Sequence, residues 1–151
     1  MRNKLNLFGI IALITVIGFS MASCASSGGG SSSQASGAGN DGVAKTLVIT
    51  GIDGFSGDVL VTISSNAQNL TGSMVAVGGA AISGNSVTIP LVLPGQEDQR
   101  WTGTGEYYVV LVFEQGGQNV IYFYAQGGMS ALRYNISQAT TTIAFNQFRR
   151  I

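Results

Sequence analysis

The chain has 151 residues, enough for one ordinary domain, and it contains no histidine and a single cysteine. This composition excludes a Ser-His-Asp triad, a histidine metal site, an intrachain disulfide and a cysteine zinc cluster. Two of the seven basic residues, Arg2 and Lys4, precede Cys24, whereas all seven acidic residues follow it. The remainder carries five basic and seven acidic side chains, a net of −2. That balance disfavours binding to nucleic acid, or to anionic headgroups through a polybasic patch.

The first 23 residues have the organisation of a secretory signal peptide. Arg2 and Lys4 give a positive start, residues 7–19 are apolar apart from one threonine, and small residues follow. The apolar stretch is shorter than the ~20 residues that a permanent transmembrane helix needs. We therefore expect residues 1–23 to be a signal peptide that is removed.

The four residues Met21-Ala22-Ser23-Cys24 are similar to the lipobox of bacterial lipoproteins. The resemblance implies that the Cys24 sulfur receives a diacylglyceryl group, that the chain is cut just before it, and that the new amine receives a fatty acyl chain such as palmitate. Met21 departs from the pattern, in which leucine is commoner. Ala25, which is not an aspartate, favours the outer membrane by the same resemblance. The alternative is an ordinary signal peptide cut nearby, which would leave a free thiol.

Residues 25–42 are rich in glycine and serine and have almost no apolar bulk. Such a segment cannot bury enough surface to offset the entropy of ordering. With Cys24 it is predicted to form a lipidated, flexible linker (residues 24–42), whose root-mean-square span is about 23 Å. The folded domain is predicted to cover residues 43–151.

Short runs rich in Val, Ile, Thr, Tyr and Phe alternate with glycine-bearing turns throughout this domain. The pattern predicts an all-β fold, a small antiparallel β-sandwich (Ig-like or jelly-roll-like) of about seven or eight strands. Pro90 lies inside one run, so that run is expected to be an edge strand or to contain a bulge. The predicted strands cover residues 45–51, 58–64, 74–77, 86–93, 107–114, 119–125, 131–136 and 140–146. Arg149 and Arg150 are expected to end the last strand.

The hairpin predicted over residues 107–125 is apolar on both faces, whereas a hairpin with one solvated face alternates apolar and polar residues. One explanation is that another part of the chain covers the second face, either residues 94–105 with Trp101 or residues 126–132. The other is that aromatic side chains form an exposed platform for a sugar ring or a partner protein. The candidate contact residues are Tyr108, Tyr122, Tyr124 and Trp101.

Residues suited to catalysis or metal binding are few. Glu97 and Asp98 are adjacent on a polar segment and, with Glu106, are the only candidates for a glycan-acting enzyme, whose two carboxylates must converge on one bond. Asp53 and Asp58 flank a glycine-rich turn but lack the spaced ligands of a calcium loop, and aspartate commonly forms turns. We therefore expect no catalytic residues, no metal and no cofactor.

These observations favour a membrane-anchored lipoprotein of the bacterial cell envelope that is not an enzyme. Its membrane contact is expected to be the lipid on Cys24, and its domain is expected to be a binding or structural module. Within that class, contact with a protein partner is slightly favoured over a carbohydrate-binding module that uses exposed Tyr and Trp side chains. A glycan-acting enzyme is the rival interpretation.

Overall fold

The computed structural model describes residues 39–126 and 128–151, and these residues form twelve β-strands and one short 3-10 turn, Phe145–Gln147. No helix in the described part is long and apolar enough to cross a membrane. The predicted signal peptide (residues 1–23), Cys24 and residues 25–38 of the predicted linker lie outside the described residues. The strands are β1 (Gly39–Asn40), β2 (Thr46–Thr50), β3 (Asp58–Ser64), β4 (Met74–Ala81), β5 (Ser86–Pro90), β6 (Val92–Leu93), β7 (Gln96–Arg100), β8 (Gly103–Gln115), β9 (Gln118–Tyr124), β10 (Arg133–Ile136), β11 (Thr140–Ala144) and β12 (Phe148–Arg150).

The strands form two sheets, which confirms the predicted all-β sandwich. The large sheet has the order β12-β9-β8-β3-β4-β6-β7, with β1 and β10 also paired to β8, and the small sheet has the order β11-β2-β5. Every pairing is antiparallel except that of β11 with β2, which is parallel. This one pair departs from the antiparallel pairing that was predicted and that the other strands show. The chain enters β11 from β10 of the large sheet, and only strands joined by a hairpin must run antiparallel.

All eight predicted strands overlap observed strands, but one of them divides. Residues 86–93 form β5 in the small sheet and β6 in the large sheet, with the buried Leu91 between them. Pro90 ends β5, and β5 is an edge strand of the small sheet. Of the two alternatives for this proline, an edge strand or a bulge, this confirms the edge strand. An edge position suits proline because it has no N–H to donate to a ladder.

Three observed strands were not predicted, namely β1, β7 and β12. Gly39 and Asn40 belong to the segment assigned to the linker, yet they pair with Thr104 and Gly103 of β8. Arg149 and Arg150 do not end the last strand, because they belong to β12, which pairs with β9. These strands are short or entirely polar, so they lack the apolar alternation from which the other strands were predicted.

The core lies between the two sheets. Alternate residues of β3 and β8 in the large sheet face alternate residues of β2, β5 and β11 in the small sheet, as the two-residue period of a strand requires. These side chains are almost completely buried: Val59, Val61, Ile63, Val109, Leu111 and Phe113 in the large sheet, and Leu47, Ile49, Val87, Ile89 and Ile143 in the small one.

A tight hairpin joins β8 to β9 and sets the register of the central strands. Gly116 and Gly117 form its turn with φ values of 60° and 76°, the positive φ that a tight hairpin turn requires. The resulting register places Leu111 opposite Tyr122 and Val110 opposite Phe123. Because directly opposed residues share a face, this register decides which aromatic rings face the core.

Candidate functional site

The structure places Tyr122, Tyr124 and Trp101 on the core side of the large sheet. Tyr122 pairs with the core residue Leu111, and Tyr124 lies two residues further along the same face. Tyr124 and Trp101 are buried members of the core. The ring of Trp101 lies edge-on to that of Tyr107, with centroids 5.3 Å apart. None of these three rings is therefore available as an open stacking surface.

Tyr108 lies on the opposite face of the same sheet. It alternates along β8 with the core residues Tyr107 and Val109, and it is half-buried. The guanidinium of Arg133, its cross-strand partner, lies 5.3 Å from the centre of the Tyr108 ring. The four predicted contact residues thus occupy two faces, and the prediction of one shared exposed platform is wrong. A partner contact by any of them individually stays a prediction.

Tyr122 belongs to a group of four aromatic rings at one end of the core. Its ring centroid lies 5.5 Å from that of Phe113, 5.9 Å from that of Phe55 and 4.9 Å from that of Phe145. Edge-to-face contacts of this kind add to the free energy gained by burial. The cluster was not predicted, because Phe55 lies between strands, where no strand pattern points to the core, and Phe145, which was assigned to the predicted strand 140–146, lies instead in the 3-10 turn after β11.

Burial raises the pKa of Tyr107 and of Tyr124 above the ordinary tyrosine value, and the neighbouring Tyr134 adds to the effect at Tyr124. The Tyr107 hydroxyl donates a hydrogen bond to the carbonyl oxygen of Thr104 over 3.1 Å. Both hydroxyls are therefore held neutral at physiological pH, which suits a structural role better than an acid–base role.

The side of the large sheet that faces away from the small sheet is also apolar, and we call it the outer face. Val110 and Val112 on this face are each only 3% exposed, although neither belongs to the core cluster between the sheets. Trp101 does not cover the outer face, because it lies on the core side. The burial of Val110 and Val112 nevertheless agrees with the expectation that part of the chain covers this second face. The outer face comprises Leu60, Thr62, Val77, Tyr108, Val110, Val112, Ile121 and Phe123.

The segment 126–132 was the other predicted cover for this face. Met129 is 90% exposed and Leu132 is 42% exposed. Met129 therefore stands in solvent, whereas Leu132 is only partly exposed. Part of the burial of Val110 and Val112 comes from their lateral neighbours, since Val110 lies between Thr62 and Phe123 in the ladder.

The charged candidates for catalysis lie on two different strands. Glu97 and Asp98 are exposed on β7, at one edge of the large sheet, whereas Glu106 is on β8, with β3, β4 and β6 between them in the strand order. Adjacent residues of a strand point to opposite faces, which separates Glu97 from Asp98 as well. Within residues 39–126 and 128–151, no three His, Cys, Asp or Glu side chains are grouped so that they could hold a metal ion, and this includes Asp53 and Asp58.

Lys45 is fully buried where the chain enters the domain, and its ammonium group is paired. It donates to Oδ2 of Asp41 over 2.6 Å and to the carbonyl oxygen of Ser137 over 3.1 Å. The hydrogen bond from Lys45, with a second from the Val43 N–H, lowers the pKa of Asp41 below its ordinary value. Arg100 donates to the carbonyl oxygen of Lys45 over 2.8 Å. These contacts attach residues 41–45 firmly to the domain.

This ion pair was not predicted from the sequence, because Asp41 falls in the segment assigned to the linker. The signal that could have indicated it is a lysine at the start of an apolar run with an aspartate four residues before it. A buried ammonium group needs a carboxylate or carbonyl partner.

Comparison with protein-family models, with curated proteins and with solved structures finds no match to this chain. Its own residues and their geometry are therefore the basis for assigning a function.

Proposed function

We propose that this chain is a lipoprotein of the bacterial cell envelope that is held to a membrane through lipid on Cys24. By resemblance, that membrane is the outer membrane. The observation that carries the proposal is the Met21-Ala22-Ser23-Cys24 sequence directly after a positively charged start and an apolar stretch. The lone cysteine then has a chemical purpose, since the lipid consumes a thiol that would be a liability in an oxidising compartment.

The lipid supplies the attachment. Each buried methylene group contributes roughly 0.8 kcal/mol to membrane binding, so that one acyl chain holds a protein only marginally. Two or three chains on Cys24 make the attachment long-lived. The folded domain is then relieved of any need to span or enter the bilayer in order to stay bound.

We further propose that the domain is a non-enzymatic binding or structural module and that its outer face meets a protein partner. Val110, Val112 and Phe123 are already buried, so the accessible apolar part of the outer face is formed by the half-buried Leu60, Tyr108 and Ile121. Charged residues lie at its margin: Asp58, Glu106, Glu114 and Arg133. An apolar centre with a polar rim is the usual anatomy of a protein–protein interface. A sugar-binding platform is disfavoured because Trp101 and Tyr124 are buried.

Mass spectrometry of the mature protein, produced with its own signal in a bacterium, tests the anchor. We expect a chain that begins at Cys24 and carries a diacylglyceryl group and an amide-linked acyl chain. Cys24→Ser should remain an unlipidated precursor, whereas the matched variant Ser23→Ala should be processed normally, because alanine keeps the small residue before the cut. A mature chain with an unmodified Cys24 thiol would refute the proposal.

Photo-crosslinking in cells tests the interaction module. A benzoylphenylalanine residue replacing Tyr108 probes the outer face with little change of shape, and the same residue replacing Thr142, which is exposed on the small sheet, is the control. We expect a discrete protein adduct from the first position only. If position 108 yields the same products as position 142, the outer face does not bind a protein partner.

A further inference from the structure

The edges of the two sheets differ in how well they are protected against pairing with another strand. The strand orders end on β12 and β7 in the large sheet and on β11 and β5 in the small one. An edge strand leaves backbone N–H and C=O groups ready to pair, and proteins discourage this with charged side chains, proline or bulges. Three of these four strands carry such a feature, and β11 does not.

The contrast is plain in the residues of each strand. β12 carries two arginines, β7 carries Glu97, Asp98 and Arg100 and shifts its register against β6, and β5 ends on Pro90. The sequence of β11, Thr140–Ala144, is Thr-Thr-Thr-Ile-Ala, with neither a charge nor a proline. Its ladder with β2 runs through the whole strand without a register shift. Since β-branched residues favour the extended conformation, β11 is the edge most open to a further strand.

Two hydrogen bonds show which backbone groups of β11 point away from the domain. The N–H of Thr46 on β2 donates to the carbonyl oxygen of Ala139 over 2.9 Å. Backbone groups of successive residues in a strand point to alternate sides, so residues 139, 141 and 143 face β2 and residues 140, 142 and 144 face outward. The hydroxyl of Tyr134 agrees with this direction, because it donates to the carbonyl oxygen of Thr142 over 3.3 Å.

We propose that β11 pairs with β11 of a second copy of this chain, antiparallel and with a two-fold axis at Thr142. This register pairs the whole strand, because Thr142 lies opposite Thr142, Thr141 opposite Ile143, and Thr140 opposite Ala144. The outward-facing residues of the two copies then exchange up to about six backbone hydrogen bonds. The small sheets of the two copies join into one continuous sheet. The contact goes beyond the proposed function, since it uses an edge of the small sheet and not the outer face.

The side chains of β11 suit pairing with themselves. A two-fold axis brings the same strand from both copies together, so a charged edge would set like charges close to each other. The exposed Thr142 meets Thr142 of the second copy, and threonine pairs across antiparallel strands are favourable. On the core side, the buried Thr141 and Ile143 meet, which continues the buried layer across the axis. A second copy is therefore complementary to this edge.

The hydroxyl of Tyr134 occupies the position that the second copy takes at Thr142. This hydrogen bond is exposed and long, so water or another donor replaces it readily. On pairing, the N–H of Thr142 of the second copy becomes the donor to the Thr142 carbonyl oxygen, and the hydroxyl turns to solvent. Tyr134 thus competes with self-pairing, and its removal is expected to favour the dimer.

Disulfide trapping in cells that produce the full chain with its own signal tests the contact. A single strand pair buries less area than a typical stable interface, so a covalent trap is the appropriate measurement. The Cα atoms of hydrogen-bonded residues directly opposed across antiparallel strands lie about 5.5 Å apart, which a disulfide spans. Thr142→Cys therefore places two thiols at bonding distance. Thr88→Cys is the matched control, because Thr88 is exposed on the other edge strand of the same sheet.

After mild oxidation with copper phenanthroline, we expect about fivefold more covalent dimer from Thr142→Cys than from Thr88→Cys. Equal yields from the two variants would overturn the self-pairing. An adduct of Thr142→Cys with a different protein, without the covalent dimer, would overturn it too and make β11 an edge for that protein. The wild type should give no dimer. A wild-type dimer through Cys24 would count against the lipid anchor, and the comparison of positions 142 and 88 would still decide the self-pairing.

Substitutions that act on the edge groups extend the test in the Thr142→Cys protein. Thr140→Pro removes an outward N–H at the first residue of β11, where proline is tolerated, and should lower the dimer yield about fivefold. Thr88→Pro is the matched control and should leave the yield unchanged. The Thr88 N–H also points away from β2, since that of Leu91, three residues on, donates to Lys45 beside β2. Tyr134→Phe should raise the yield about threefold.

Urea unfolding of each variant establishes that it is folded when it is oxidised. If Thr140→Pro and Thr88→Pro lower the dimer yield equally, the loss reflects destabilisation of the small sheet, and pairing through the β11 backbone is wrong. In the photo-crosslinking test of the outer face, this contact adds a covalent dimer of the chain itself at position 142. That dimer differs in mass from an adduct with another protein.

Discussion

The two faces of β8 are nearly equal in hydrophobicity but differ in what encloses them. Val109, Leu111 and Phe113 meet the small sheet, whereas Val110 and Val112 face the other way. The small sheet packs on the first side only. Apolar residues on both faces identify β8 as a central strand, but they do not say which face another layer covers. Which face another layer covers depends on strand pairings between residues far apart in the chain.

The largest expected difference between the faces is at two phenylalanines. Phe113 on the core face is 1% exposed and contacts three other rings, whereas Phe123 is buried on the outer face. We expect Phe113→Ala to lower the free energy of unfolding by about 3–5 kcal/mol, because the two sheets leave a cavity that cannot collapse. Phe123→Ala should cost about 2 kcal/mol, mainly the lost burial.

Urea unfolding of the two variants measures this difference. Equal losses would mean that the outer face is enclosed as tightly as the core, and the contrast between the faces would then be wrong.

A smaller effect is expected at two adjacent glycines of β4. A Cβ added to Gly78, on the core face, would lie 2.5 Å from the carbonyl oxygen of Pro90 and 2.6 Å from Cγ2 of Ile89. A Cβ on Gly79, on the outer face, would meet Cδ2 of Leu60 at 2.8 Å, the end of a side chain that can rotate. We expect Gly78→Ala to cost about 1–3 kcal/mol and Gly79→Ala to be close to neutral.

Thermal unfolding of both glycine variants at one protein concentration is the appropriate comparison. If Gly79→Ala proves as destabilising as Gly78→Ala, Leu60 is held rigidly by something on the outer face.

The smallest effect is expected at the ion pair of Lys45 and Asp41, which joins a buried residue to a partly exposed one. The pKa of Asp41 is lower in the folded protein than its ordinary value of 3.8. Its stabilising contribution is therefore present above about pH 4 and is lost as the pH falls through the lower folded-state value. We expect Asp41→Asn to be less stable than the wild type near neutral pH and the two to converge in acid.

Urea unfolding between neutral and strongly acidic pH measures this convergence. Lys45→Met provides a second variant, because without the ammonium group the Asp41 pKa returns towards its ordinary value and the acid dependence weakens. A constant difference between wild type and Asp41→Asn at all pH values would contradict the assignment.

How much of the fold could be predicted from the sequence depends on how far apart in the chain the interacting residues lie. The eight longer strands were predictable because alternation and turn residues are local signals, as in the Gly116–Gly117 hairpin. β7 was not predictable, because its five residues are all polar and exposed and it forms only by pairing with β6. β12 was equally hidden, since Arg149 and Arg150 join the sheet only by pairing with residues of β9 that lie far from them in the chain.

By itself, the sequence determined that this domain is an all-β sandwich with its central hairpin around residues 115–118. It also carries the lipobox-like motif at Cys24. The tertiary structure alone decided that Tyr122 and Tyr124 face the core and Tyr108 does not, and that β11 runs parallel to β2. The physical reason is that a two-residue period defines two faces for every strand, whereas only the register between distant strands chooses which face is buried.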